Sequence, residues 1–201
     1  MEKREIRVLV VEDSPTDIEL LRQSMKDFKF LKCRLTEVRT AAGAEAAMAN
    51  TRFEAVLLDL NLPDSRGLES LARVKASGKA TAVIIMTVSG EQETILKALS
   101  MGAQNFIVKG DETAVSLERA IMFSVEREKS VEALREAEEK YRLLYTSMGQ
   151  GLAVHDAVFN ADGKMTDYVF REVNESFERL TGLKAKEIVG KRVRQAVPGV
   201  E

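Results

Sequence analysis

Three carboxylates, a hydroxyl and an ammonium stand at the carboxyl ends of short apolar runs. Glu12 and Asp13 follow residues 8–11, Asp59 follows 55–58, Thr87 follows 82–86 and Lys109 follows 105–108. Chance places one such strand end easily, but four converging on one rim are hard to explain by structure alone. Carboxylates packed together repel and raise one another's pKa unless a cation lies among them. An all-oxygen donor set favours Mg2+, which keeps several waters and takes few protein carboxylates. Lys109 adds a compact positive charge and Thr87 a hydroxyl donor. Together these are the parts for holding a phosphoryl group.

The runs must be neighbouring strands for these groups to meet. Each is too short for a helix and rich in Val, Ile and Leu, as parallel strands covered on both faces are. A fifth run, 33–38, is mixed in polarity, as an edge strand would be, and Cys33 there reads as a small buried hydrophobe. Between the runs, Ile18, Leu21, Met25 and Phe28 are spaced for one helix face. Ser14 can cap that helix, with Pro15 at its first position and Asp17 in its first turn. Further helices fit 44–50, 68–76 and 91–101, the last two followed by Gly78 and Gly102 as stop signals. Five strands alternating with helices predict a doubly wound α/β domain, whose ligands bind outside the carboxyl ends of its strands.

Composition narrows the function classes. The 201 residues carry 30 Lys and Arg against 32 Asp and Glu, a net charge of −2. That balance excludes a generally basic, nucleic-acid-coating protein. With 45% hydrophobic residues the chain can bury a sizeable core. One cysteine, Cys33, excludes an intramolecular disulfide and a cysteine-rich zinc site, and one histidine, His155, excludes a multi-histidine metal centre. The amino terminus has no signal-peptide pattern, and no apolar stretch approaches the roughly 18 residues needed to cross a bilayer. A soluble, cytoplasmic segment without a membrane span is expected.

Residues 112–148 contain neither Pro nor Gly. Val131, Leu134, Glu138, Tyr141, Tyr145 and Met148 are spaced 3, 4, 3, 4, 3, the seam of a coiled coil, weak at Glu138 and irregular through 126–130. Two readings stay open, a solvated helical extension of the first domain and a dimerising helix. After Gly149, residues 151–158 and 168–173 read as strands joined across Asn160-Ala161-Asp162-Gly163, with helices around 176–181 and 185–189.

The first region resembles the receiver domain of two-component response regulators. The likeness spans residues 5 to about 123 and rests on Val10-Val11-Glu12-Asp13-Ser14, Asp59-Leu60-Asn61-Leu62-Pro63-Asp64-Ser65-Arg66-Gly67, Thr87 and Phe106-Ile107-Val108-Lys109. It implies a flavodoxin-like five-stranded parallel sheet in which Asp59 accepts phosphate from a phosphohistidine donor, a kinase or phosphotransfer protein. It further implies that Glu12, Asp13, Asp59 and the backbone carbonyl of Asn61 hold Mg2+. Lys109 would pair with the phosphoryl oxygens, Thr87 would move to hydrogen-bond one of them, and Phe106 would be the switch aromatic. Two positions depart from the family. Gly110 replaces the usual Pro, so a cis peptide is not expected and Lys109 would be less firmly aimed. Val88 is bulkier than the usual Ala or Gly and would narrow access to the phosphoryl group.

The last region resembles the start of a PAS sensor domain. The signs are 141–148 leading into Gly151-Leu152-Ala153-Val154, then 173–177, Leu180-Thr181-Gly182 and Ile188-Val189-Gly190-Lys191. His155 reads as a half-buried strand residue rather than a kinase phosphoacceptor. The expected division is a receiver at 1–123, a helical coiled-coil linker at 124–146 and a partial PAS domain at 147–201. The whole is expected to form a homodimer through the 124–148 helix and to be the amino-terminal part of a sensor histidine kinase. The alternatives are part of a diguanylate cyclase and a non-phosphorylated dimerisation scaffold; a free phosphatase lacks a second acid-base carboxylate. With no helix-turn-helix and no basic stripe, direct nucleic-acid binding is not expected.

Overall fold

The apolar runs become strands because the sheet is covered on both faces, which leaves no side of a strand for polar residues. The computed structural model describes residues 3–77, 81–88, 92–110 and 113–197. In chain order its first region holds β1 (Arg4–Val11), α1 (Pro15–Lys26), β2 (Leu31–Val38), α2 (Ala41–Asn50), β3 (Ala55–Asp59), the two-residue strands β4 (Asn61–Leu62) and β5 (Ser65–Arg66), α3 (Leu68–Ser77), β6 (Ala82–Thr87), α4 (Gln92–Ser100), β7 (Asn105–Val108) and α5 (Ala114–Ser147). The main sheet runs β2-β1-β3-β6-β7, and every neighbouring pair is parallel. This is the expected doubly wound five-stranded sheet.

Successive side chains of a strand point to opposite faces, so the central strands feed two cores. Val8, Val10, Leu57 and Ile84 pack with Ile18 and Leu21 of α1 and with Leu117 and Ile121 of α5. Leu9, Val11, Val56, Leu58 and Ile85 pack on the other face with Ala44 of α2, Leu71 and Val74 of α3 and Ala98 of α4. Register then levels the strand ends: Val11 lies beside Leu58, Asp59 beside Met86, and Thr87 beside Val108. The groups that follow those strands therefore share one rim.

The cap at Ser14 forms as expected, its Oγ accepting from Asp17 N at 3.3 Å. Helix α2 begins three residues before the sequence suggests. Thr40 Oγ1 accepts from Gly43 N, and the Asp64 carboxylate accepts from the amides of Ala41 (2.8 Å) and Ala42 (2.9 Å). Gly102 ends α4 with φ of +95°. Gly78 and Glu91, expected as a stop signal and a helix start, lie outside the described residues.

Cys33 sits on β2, packed against the first of the two cores and half-buried. Burial, reinforced by the Glu118 charge, pushes its thiol up to about 12. Little thiolate exists at neutral pH in such a site. Alkylation by iodoacetamide at pH 8 should be at least about tenfold slower in the folded protein than in urea; equal rates would contradict this placement.

Helix α5 is 34 residues long. Its first turns bury Leu117, Ile121 and Val125, and the Glu118 carboxylate accepts from the backbone amides of Lys29 (3.0 Å), Phe30 (2.6 Å) and Leu31 (2.8 Å) just before β2. Further along, Val131, Leu134, Tyr141 and Met148 are exposed, and Tyr145 is half-buried with its ring stacked on Tyr141 at 5.6 Å.

The chain forms two compact units, Met1–Ala133 and Leu134–Glu201. The second contains the antiparallel pair β8 (Ala153–Phe159) and β9 (Met165–Val173), then α6 (Glu175–Thr181), α7 (Ala185–Ile188) and α8 (Val193–Ala196). The β8–β9 turn falls where the Asp-Gly signal put it. Asn160 Oδ1 accepts from the amides of Asp162 and Lys164, and Gly163 has φ of +75°. Asn174 caps α6, accepting from Phe177 N at 2.8 Å. Phe170, Val173 and Ile188 form a small core. His155 lies on β8 as expected but is exposed rather than half-buried, its ring resting against Phe170 at 4.5 Å. No helix among the described residues is long and apolar enough to cross a membrane.

Candidate functional site

β1 delivers the first acid. Glu12 N donates to Val38 O at 3.0 Å, extending the β1–β2 ladder by one bond and holding the Glu12 side chain inward, fully buried. Ser14 N donates to Glu12 Oε1 at 3.1 Å. Asp13, one residue on, is exposed. Asp59 ends β3 and is 4% exposed, with Oδ1 accepting from Asn61 N at 2.9 Å and Oδ2 accepting from Lys109 Nζ at 2.6 Å.

Lys109 is the hub. Besides Asp59, its Nζ lies 2.5 Å from Glu12 Oε2 and 3.0 Å from Asp17 Oδ2. Its backbone N donates to Thr87 O at 2.8 Å, tying the ends of β6 and β7 together. Gly110 has φ of +92°, and no peptide bond among the described residues is cis. The lysine is nonetheless not loosely aimed, because three carboxylates surround its head. Burial alone would lower the Lys109 pKa, but bonds to Asp59, Glu12 and Asp17 outweigh it and hold the ammonium above its ordinary value. Glu12 moves the other way from a normal acid. Burial raises its pKa and the Asp59 charge adds to this, with Lys109 and the Ser14 amide only partly offsetting them.

Does this set suit a cation? Glu12, Asp13 and Asp59 each present a carboxylate oxygen within 4.8 Å of the others. Glu12 Oε2 is buried and makes no hydrogen bond, its approach to Lys109 being ionic but off the hydrogen-bond direction. A buried acceptor with an unused lone pair, next to two more hard oxygens and an excess of negative charge, fits a divalent cation of the Mg2+ type.

The structure thus brings together Glu12, Asp13, Asp59 and Lys109, with Asn61 and Thr87 adjoining through backbone. Phe106 stands on β7, 39% exposed. It lines a cavity of about 450 Å³ with Ile107, Ser116, Arg119 and Phe123, which contains none of the acids. Val88 is exposed. Asp17 was legible only as a helix-start acid; that the first turn of α1 lies over Lys109 is a tertiary fact with no local signal.

Comparisons with known proteins agree with this geometry. The family model described as "Response regulator receiver domain" matches residues 8–121. The chain is 33% identical over 104 residues to the swarming motility regulation protein RssB of Serratia marcescens, covering 52% of this chain and 46% of that one. It thus spans about half the length of that relative. Chemotaxis protein CheY of Listeria monocytogenes is 28% identical over 118 residues, 57% of this chain and 98% of CheY. Among solved structures, the signal receiver domain of a LuxO repressor protein from Vibrio parahaemolyticus superposes with a TM-score of 0.56 at 28% identity, over 65% of this chain and 97% of that one. The receiver domain of sensor histidine kinase PA1611 from Pseudomonas aeruginosa, solved with a magnesium ion coordinated in its active site cleft, gives 0.53 at 21% identity, over 61% and 98%. A matching family model over more than half the chain means that this chain belongs to the response regulator receiver family of two-component signalling.

Proposed function

We propose that the receiver is phosphorylated on Asp59 by a phosphohistidine donor, a kinase or phosphotransfer protein, and passes its state along α5 to a PAS-like module. One observation carries the reading: Asp59 is a buried carboxylate whose two oxygens are held apart by Asn61 N and Lys109 Nζ beside two further acids. A carboxylate fixed in this way is aimed for in-line attack. Its oxygen forms the new O–P bond as the N–P bond of the phosphohistidine breaks. Lys109 follows the phosphoryl oxygens, and Thr87 donates its hydroxyl to one of them with Phe106 turning inward behind it. Glu12, Asp13, Asp59 and the Asn61 carbonyl would hold Mg2+, which when bound neutralises the acids and the entering charge. The magnesium ion in the receiver of PA1611 supports that assignment.

The PAS reading of 147–201 rests on the β8–β9 pair, the Asn174-capped α6 and the motifs at 141–148 and 188–191. The proposed division is 1–123, 124–146 and 147–201, within a cytoplasmic sensor histidine kinase or, failing that, a diguanylate cyclase. The test is acetyl phosphate with Mg2+, read by intact mass. One added phosphoryl group is expected, and none when EDTA replaces Mg2+. No gain under either condition would leave the scaffold reading in its place.

The reading includes homodimerisation through 124–148, which the exposed seam supports. Pairing recovers roughly 25 cal/mol per Å² of apolar area removed from water. Leu134, 62% exposed, would be central to it. Leu134→Glu should weaken association at least about tenfold by sedimentation while phosphorylation continues. An unchanged oligomer in the variant, or only monomer in the parent at high concentration, would rule the seam out.

A further inference from the structure

We infer that Asp17 is a positioning residue for Lys109, a counter-ion that holds the ammonium in the resting state and lets it go when the phosphoryl group arrives. This rests on the reading of Asp59 as phosphoacceptor. The Lys109 ammonium already serves three carboxylates: it donates to Asp59 at 2.6 Å and to Asp17 at 3.0 Å, and lies in ionic contact with Glu12 at 2.5 Å. A phosphoryl oxygen on Asp59 is a fourth claimant on the same head, and drawing Nζ toward it weakens one of these contacts. The three differ in what yielding costs. The side chains of Glu12 and Asp59 are 0% and 5% exposed, so a lost partner there leaves a buried charge without water. The Asp17 side chain is 35% exposed and its contact is the longest. Water can replace the ammonium at Asp17 and nowhere else in the triad.

A first-turn acid is favoured at any helix start by the helix dipole, and that alone would make Asp17 ordinary. Its bond to Lys109, 92 residues away, is what sets it apart. A contact present before phosphorylation and absent after it biases the equilibrium against the phosphorylated state. Removing it should therefore favour that state. The contact also takes over the aiming that Gly110 does not provide.

The experiment compares Asp17→Asn with Glu19→Gln, which removes an equal charge from the same helix at a residue bonded to Arg22 and Gln23 instead. In protein with 13C-labelled lysine, the Lys109 ε-methylene signal, assigned by its loss in Lys109→Arg, should move in Asp17→Asn and stay in Glu19→Gln. At saturating Mg2+, beryllofluoride, a phosphoryl mimic, should bind Asp17→Asn about fivefold more tightly than the parent, the scale of one half-exposed ion pair, and Glu19→Gln within twofold of it, about the noise of such a pair. An unmoved Lys109 signal, an equal or weaker affinity in Asp17→Asn, or an equal rise in Glu19→Gln would overturn the inference. Should the parent itself take up no beryllofluoride, the phosphoacceptor reading fails instead, and the Lys109 signal alone decides whether Asp17 holds it.

Discussion

Asp59→Asn is expected to lose phosphorylation by acetyl phosphate almost entirely, a drop of about a hundredfold or more in the rate of mass gain. The reason is chemical rather than structural. Asn keeps the shape of the side chain, its amide oxygen can still accept from Asn61 N, and Lys109 retains Glu12 and Asp17 as partners. What disappears is the charged oxygen that attacks phosphorus. One fewer negative charge among Glu12 and Asp13 also relieves repulsion, so the fold should be as stable as the parent or slightly more so. Circular dichroism and thermal melting would establish that the variant is folded. Labelling at the parent rate would then place the phosphoacceptor elsewhere.

The largest expected effect on stability lies at Glu118. Both its carboxylate oxygens are engaged, Oε1 by the amides of Phe30 and Leu31 and Oε2 by that of Lys29, and the residue is 5% exposed. Truncation to Ala leaves three amides without their acceptor at a nearly dry site, a cost of about 3 kcal/mol in urea unfolding at pH 7. The pH dependence follows from the same geometry. Burial would raise the Glu118 carboxyl, but the three amides outweigh it and hold its pKa below the ordinary 4.5. A carboxyl depressed in the folded state contributes its full stability above the unfolded value and loses it as pH falls through the folded one. The parent should therefore lose stability on acidification below about pH 4.5 more steeply than Glu118→Ala, and the two curves should converge. A variant within about 0.5 kcal/mol of the parent at neutral pH would show that the amides find water instead.

These two residues also mark the limits of reading the sequence. Asp59 was legible because it closes a run of wholly apolar residues, and a carboxylate there has no packing role. The strands were legible for the same reason, since burial on both faces leaves little but Val, Ile and Leu. Glu118 was not, because a Glu on a charged helix looks like a solvated face and its amide partners lie 87 to 89 residues earlier. The start of α2 escaped in part for that reason: Thr40 caps it locally, but the Asp64 carboxylate that takes its first two amides comes from beyond β3. Asp17 was visible as a residue but not as a partner of Lys109. Long-range side-chain bonds to backbone or to another side chain leave no periodic trace, whereas apolar patterning does. The α5 spacing from Val131 to Met148 falls on residues that are exposed or half-buried, which a solvated extension and a dimerising helix both require.

Strand β2 lies at the margin of the main sheet and, among the described residues, pairs only with β1. Its outer backbone groups are a template on which another chain could add a strand. Lys32 and Arg34 stand exposed along it, both within reach of Glu5 on β1, at 3.9 and 3.6 Å. Charged side chains along a sheet margin discourage edge-to-edge pairing. The margin is thereby guarded against sheet-to-sheet aggregation.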